Sequence, residues 1–277
     1  MPCYLITGGA GFFGTILKQH LLASGAECVS IDLEPDSFQH PHFTAYQGDI
    51  NDNGLMEKIF SAHKFTAIFH CAALLAHVKK DLKRLWHANV NGTENVYNFA
   101  LRYGIKKIVF ISSNCLWAKN FDSPVTEEEP PAPVEIYGKS KLAAEHILLS
   151  QPDKINSIIF RSPTIMDEGR LGLLGILFEF IDEGRKLPMV GDGTNRYQFI
   201  YAKDLAKACE LALPADYSDV FNIGSDDVKS FNEVYQYVIE KSGSKSRLFH
   251  FPKLPMIWAM KICFWLGISP LGPYQYK

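Results

Sequence analysis

The 277-residue chain lacks most of what would place it in a special class of protein. No block of lysine or arginine is present, and 28 basic against 30 acidic side chains leave a formal charge of −2. That excludes the electrostatic footprint of a nucleic-acid-binding protein. Cysteines at metal-ligand spacing are also missing, so no metal is expected. Cys3, Cys28, Cys71, Cys115, Cys209 and Cys263 are scattered, several inside apolar runs, as reduced core thiols of a cytoplasmic protein would be. No apolar run is long enough to span a bilayer. The greasiest stretch, LPMIWAMKICFWLGI at 254–268, is short and broken by Lys261, and reads as a lid or core helix. An interfacial anchor or a greasy substrate pocket is the other reading of that stretch. A leader pattern is absent too, because Cys3-Tyr4-Leu5-Ile6 runs straight into a glycine turn. Internal repeats and low-complexity tracts are not found. At 47% hydrophobic and 21% charged, the composition is that of an ordinary soluble globular chain. Its length allows one large domain, or a domain with a smaller appendage.

Short buried runs are what the sequence has in quantity. CYLIT, ECVSID, TAIFHCA, KIVFISS and NSIIFR alternate with helix-like stretches up to about residue 161, among them Asn89 to Tyr103 and Tyr137 to Leu149. Buried runs alternating with amphipathic helices predict an α/β fold: a Rossmann-type, doubly wound parallel sheet with helices on both faces. The Pro-rich EEEPPAPVE (127–135) can join neither element and reads as a surface loop. Beyond about residue 163 the alternation loosens. GRLGLLGILFEFIDEGRKLP reads as a helix, YQFIYAKDLAKACELAL as strand then helix, DVFNIGS as a strand, and SFNEVYQYVIEKSG as a helix capped by Ser230. The expected organisation is a Rossmann domain over 1–163, with about 197–223 returning to it. Residues 164–277 would mainly form a smaller C-terminal substrate-binding region.

The loop YLITGGAGFFG places Gly8, Gly11 and Gly14 between a buried strand and a helix, and satisfies G-x-G-x-x-G through Gly9, Gly11 and Gly14. Such a loop lets bare backbone approach a pyrophosphate, which then sits at the positive end of the helix. Asp32 ends the next buried run, 24 positions beyond Gly8 (32 − 8). A carboxylate there accepts both ribose hydroxyls and repels a 2′-phosphate; Glu34 adds to the repulsion and no arginine adjoins it. The cofactor expected is therefore NAD rather than NADP. Farther on, KIVFISSNCLW ends in Ser112-Ser113, and HANVNGTENV carries Asn89 inside a helix with an apolar face. In EIYGKSK, Tyr137 and Lys141 are four residues apart, so both lie on one helix face and the ammonium can sit near the phenol. Nearby positive charge lowers a phenol from its ordinary value of about 10 towards a working pH, where a general base is most effective.

With these motifs together, the chain resembles the extended short-chain dehydrogenase/reductase superfamily, in its NAD-dependent epimerase/dehydratase family. The likeness rests on TGGAGFFG (7–14), Asp32, Gly48-Asp49-Ile50, Ala72-Ala73, Asn89-Val90-Asn91-Gly92-Thr93, Ser112-Ser113 and YGKSK (137–141). GDGTNRYQFIYAKDLA (191–206) and FNIGS (221–225) extend it over nearly the whole chain. The resemblance implies that Tyr137 exchanges a proton with the substrate hydroxyl, and that Lys141 holds the nicotinamide ribose and depresses the tyrosine pKa. Ser113 would bind the reacting oxygen. Gly8, Gly11, Phe12, Phe13, Gly14, Asp32, Asp49, Ile50, Ala72, Ala73 and Asn89 would line the cofactor together with Tyr137 and Lys141. Relatives often dimerise through the helices matching 80–103 and 137–150, so a homodimer is expected. They usually continue past an ending such as GPYQYK, so a further tail closing the pocket is also expected.

The neighbours of Ser113 bear on the substrate. Nucleotide-sugar 4,6-dehydratases carry Asp-Glu after the matching Ser/Thr; here Asn114-Cys115 follows, which argues against dehydration. Asn114 would face the substrate. Cys115 stands where GDP-fucose synthase and GDP-mannose 3,5-epimerase carry an acid/base cysteine, although the synthase's histidine partner has no counterpart in PTIMDEGR. A small packing thiol is the other reading. Trp117-Ala118 and Asp167-Glu168 replace the family's usual Tyr-Gly and Gly-Pro beside the substrate pocket. Arg196 matches an arginine that meets sugar-nucleotide phosphates in relatives, for which a guanidinium fork is suited; a structural salt bridge is its alternative. Three functions stay open: a nucleotide-sugar epimerase or oxidoreductase returning hydride to its own substrate, a dehydrogenase of a hydrophobic alcohol similar to the 3β-hydroxysteroid group, and a non-catalytic NAD-binding regulator.

Overall fold

The computed structural model of the protein describes residues 1–75, 81–117, 121, 123–168, 173–252 and 258. The chain divides into two compact units, one of Met1–Asp167 with Phe199–Gly224 and one of Glu168–Gln198 with Ser225–Lys277. Ala118, Arg170, Cys263 and all of the apolar segment 254–268 except Trp258 lie outside the described residues.

In chain order the first unit holds β1 (Cys3–Thr7), α1 (Phe12–Ala23), β2 (Glu27–Asp32), β3 (Phe43–Gln47), α2 (Asn53–Ala62), β4 (Ala67–His70), α3 (Leu82–Trp86), α4 (Gly92–Arg102), β5 (Lys107–Ser113), α5 (Ile136–Leu148), β6 (Asn156–Ser162) and β7 (Thr164–Met166). The second unit contributes α6 (Leu173–Asp182) and β8 (Leu187–Val190) before the chain returns through β9 (Phe199–Tyr201), α7 (Ala202–Leu211) and β10 (Asp219–Asn222). It ends, in the second unit, with α8 (Phe231–Ser242) and β11 (Leu248–Phe251).

Seven strands form one sheet in the order β10-β6-β5-β4-β1-β2-β3, with every pair parallel. Both faces are covered, which is why its strands read as continuous buried runs rather than as alternation. Successive strand side chains point to opposite faces, so each strand feeds two cores. Leu5, Val29, Ile31, Ile108 and Ile159 pack against α2, α4 and α5. Ile6, Phe69, Val109, Ile158 and Phe160 pack against α1 and α7. Each fully buried aliphatic side chain contributes about 1.5–3 kcal/mol, and together they hold the three layers. The edge strand β3 is half exposed, a pattern with no buried run to announce it.

Helix α3 leads through a π-helical turn at His87–Asn91 into α4, so the helix containing Asn89 begins earlier than the motif alone indicated. In the second unit, β8 pairs in parallel with β11. There Ser230 caps α8 in a full capping box with Glu233, and Gly243 stops the helix in the left-handed conformation.

Candidate active site

The sheet order reverses at β1. The chain runs from β1 to β2 on one side, while β4 lies on the other, and ligands of such sheets bind in the crevice outside the strands' carboxyl ends at this point. Two loops meet there. Gly8 has φ +73°, and a Cβ on it would lie 2.8 Å from the backbone of Ala72, which follows β4. A Cβ on Gly14 would lie 2.1 Å from the Gly8 carbonyl oxygen, so α1 is packed against its own approach loop and only hydrogen fits. Gly11 stands at the N-cap of α1 with no side-chain cap, and no acid lies in the helix's first turn, leaving the helix end for an anion. The Asp32 carboxylate is fixed beside the loop, accepting from Ala10 N at 3.0 Å and from Glu34 N at 3.1 Å. This cradle of bare backbone, helix end and oriented carboxylate fits the pyrophosphate and ribose of a dinucleotide. Beneath it lies a group with no signal in the sequence. The buried Lys18 ammonium donates to Gly9 O at 3.1 Å and pairs with Asp36 at 2.5 Å, tying the loop to the segment after β2.

The second half of the site comes from α5. Its start is packed so closely on the turn after β5 that a Cβ at Gly138 would lie 2.3 Å from the Cys115 carbonyl oxygen. That contact explains the glycine between Tyr137 and Lys141. Tyr137 is half-buried in the first turn. Lys141 is 2% exposed, with its ammonium over the Phe110 ring at 4.2 Å from the centroid. Burial pushes the Lys141 ammonium down to about 8, although Cys71, Glu145 and Cys115 act to raise it. One turn farther on, Glu145 is clamped by Arg161 through both carboxylate oxygens (2.8–3.2 Å) and accepts from Ser112 Oγ at 2.5 Å. This buried pair fixes α5 against the ends of β5 and β6. Ser113 caps the short turn after β5 by accepting from Cys115 N at 3.2 Å, which leaves its own proton to donate.

A directed hydrogen-bond chain joins the two halves. The Thr93 hydroxyl donates to the Asn89 carbonyl at 2.6 Å, so its oxygen accepts from His70 Nε2–H at 2.8 Å. His70 Nδ1 must then accept from Thr7 Oγ1 at 2.6 Å, and Thr7 accepts from Ala72 N at 3.3 Å. Burial, then the nearby Lys141, lowers the His70 pKa to about 3, so the ring is neutral as this chain requires. Asn89 ties into α5 as well. Its amide donates to Leu74 O and Ser140 Oγ, both at 3.0 Å, and its oxygen accepts from Leu74 N at 2.7 Å. Ser140 in turn donates to the Tyr137 carbonyl at 2.7 Å.

Gly8, Gly11, Gly14, Asp32, Ala72, Asn89, Ser113, Tyr137 and Lys141 thus stand on one edge of the first unit, on elements that these contacts link. Phe12 is half-buried in the first turn of α1, and the Phe13 side chain enters the core. Asp49 Oδ1 accepts from Asn51 N at 2.9 Å, while Ile50 is buried and its carbonyl accepts from Asn95 Nδ2 at 2.7 Å. Ala73 is half-buried after β4; Asn114 and Cys115 are exposed after β5. Arg196 is exposed in the second unit, bridged to Ser230 and near Asp227, Lys229 and Glu233. Sequence reading missed Lys18, His70, Glu145 and Arg161. Of these only Glu145, four residues after Lys141 on the same face, carried a usable signal. At the opposite, amino-terminal edge, Cys3, Glu27 and His63 bring ligand atoms within 4.8 Å of one another, which no sequence spacing announces. Burial and then Glu27 push that thiol up to about 11, so it stays protonated.

Comparison with known proteins fits this geometry. An uncharacterized protein, y4nG, of Sinorhizobium fredii is 36% identical over 98% of this chain and 68% of its own length. A UDP-glucose 4-epimerase of Lacticaseibacillus casei is 30% identical over 79% of this chain and 75% of its own. Among solved structures, the UDP-glucose 4-epimerase of Thermotoga maritima with UDP-glucose matches with a TM-score of 0.78 and 26% identity, covering 90% of this chain and 85% of that one. No helix among the described residues is long and apolar enough to cross a membrane. The profile of the NAD dependent epimerase/dehydratase family matches residues 4–224, and the chain belongs to that family.

Proposed function

We propose that the protein is an NAD-dependent epimerase or oxidoreductase acting on a nucleotide sugar, with Tyr137 as its acid/base. The observation that carries this reading is the coupling of α5, at Ser140 and the Tyr137 carbonyl, to the dinucleotide cradle through Asn89, Thr93, His70 and Thr7, with Lys141 buried one turn farther along the same helix. When bound, NAD supplies reversible hydride acceptance, held by the Gly8–Gly14 loop, Asp32 and Lys141. The chain's own residues handle the proton. Tyr137 takes the hydroxyl proton at its phenolic oxygen as the substrate alcohol becomes a ketone, and returns it when the alcohol re-forms. The buried Lys141 ammonium favours the phenolate during that exchange. Ser113 Oγ donates to the reacting oxygen, and Asn114 lies next to it. Arg196 is assigned to the sugar-nucleotide phosphates, and relatives that act on UDP-sugars support the substrate class.

The family also includes dehydratases. We leave 4,6-dehydration outside this reading, because Asn114 and Cys115 offer no carboxylate pair at that place. Cys115 is exposed beside the start of α5 and is assigned at most a second acid/base role; Cys115→Ser with full activity would remove it. A homodimer built through the helices of 80–103 and 137–150 belongs to the same proposal, with light scattering as its check. The apolar-alcohol alternative drew on 254–268, and no observation on the described residues favours it.

The test is a panel of UDP- and dTDP-sugars followed by NMR, wild type against Tyr137→Phe, with no cofactor added. The expected result is a stereochemically inverted sugar with no net redox change, reduced about 10²–10⁴-fold in the variant. A dehydrated product, or turnover unaffected by Tyr137→Phe, would sink the proposal.

A further inference from the structure

We propose that Phe110 is a positioning residue for Lys141, its ring face forming the seat that keeps the buried ammonium charged. This rests on the role given to Lys141 above, but its test does not.

Lys141 Nζ lies 4.2 Å from the Phe110 ring centroid, and at 2% exposure the ammonium has little access to water. Phe110 is 1% exposed within β5, pairs in register with His70 of β4, and stacks with its ring at 5.3 Å and 23°. Ile108, on the same face of β5 and in the same core, is aliphatic, so filling this layer does not by itself require an aromatic ring.

The titratable groups that act to raise the ammonium together do so by less than burial lowers it. Glu145, on its own helix, is committed to Arg161 and Ser112, so its charge is already balanced. His70 at the end of β4 is neutral. Cys71, the next residue, is pushed up to about 12 by burial and remains a thiol. Cys115 reaches it from the turn after β5, and Tyr137 is the group it serves one turn earlier. The negative face of an aromatic ring attracts a cation most strongly when both are out of water, and Phe110 supplies that face. Without it, the ammonium would titrate still nearer neutrality, and a fraction of the molecules would lose the charge on which the Tyr137 chemistry depends.

The experiment replaces Phe110 by mono-, di- and trifluorophenylalanine, which keep the ring's shape while draining its negative face stepwise. Phe110→Leu is the ring-free endpoint. The titration of Lys141 is read by NMR of protein carrying ¹³Cε-lysine, with the signal assigned by its loss in Lys141→Met. The expected result is a downward step with each fluorine, reaching roughly half a unit to one and a half units at trifluoro. The alkaline limb of the pH–rate profile should move in the same direction. A Lys141 titration unchanged across the series overturns the seat. A titration that moves in a protein turning over no nucleotide sugar keeps the seat and overturns the catalytic reading instead.

Discussion

Replacing Lys141 by methionine should make the protein more stable while removing its activity. The side chain is 2% exposed and its pKa falls from 10.5 to about 8, with burial the largest cause. A depression of that size means that holding the ammonium in the folded state costs roughly 3 kcal/mol relative to the unfolded chain, at about 1.4 kcal/mol per unit. The sign follows from linkage. Below the folded value both states carry the charge and the whole cost is present. Between about 8 and 10.5 the unfolded chain binds more protons, so wild-type stability rises with pH. Above the unfolded value both are neutral and the cost is gone. Methionine has similar length and no charge to desolvate, so Lys141→Met should gain about 2–3 kcal/mol at pH 7. That advantage should shrink steadily as pH is raised from 8 to 10. Urea unfolding of both proteins, followed by the fluorescence of the four tryptophans, measures the difference directly. Titrating groups that do not reach Lys141 are common to both proteins and cancel. A variant no more stable at pH 7, or a gap that does not close with pH, would refute the reasoning.

Three further perturbations probe the frame of the site. Gly14→Ala places a methyl 2.1 Å from the Gly8 carbonyl oxygen, so loop or helix must shift; calorimetry should find NAD binding lost or cut at least tenfold with the fold retained. Asp32→Asn keeps the shape but removes the charge that accepts from Ala10 N and is read as the ribose acceptor; NAD affinity should fall about 10- to 100-fold, and discrimination against NADP should narrow. Glu145→Leu strands Arg161 as a buried unpaired cation and should cost about 3–5 kcal/mol in thermal unfolding, much of it recovered when Arg161→Met is added.

Much of this architecture is legible from local pattern. The five buried runs became β1, β2, β4, β5 and β6 because a strand covered on both faces must be apolar over most of its length. The glycine loop is legible because bare backbone at Gly8 and Gly14 is a steric demand that only one residue type meets. What stayed hidden follows equally from physics. Strand β3 is half exposed, and β8 and β11 are four residues each, too short to show a period. Lys18, His70 and Arg161 are buried polar groups whose side-chain partners lie 16 to 63 residues away in sequence, so nothing near them announces the pairing. Arg161 follows the apolar run Ile158–Phe160 in β6 and shows its purpose only when Glu145 of α5 is placed beside it. Residues proposed to meet substrate and cofactor sat in motifs, whereas Lys18, His70 and Arg161, which brace the elements around them, did not.

The central claim is that this site keeps its NAD and recycles hydride on one substrate. The most direct measurement is to purify the protein without added cofactor, denature it, and identify any released nicotinamide nucleotide by absorbance and mass. The account predicts close to one NAD per chain. An empty site that binds added NAD reversibly and releases NADH, or one that carries NADP, would contradict it.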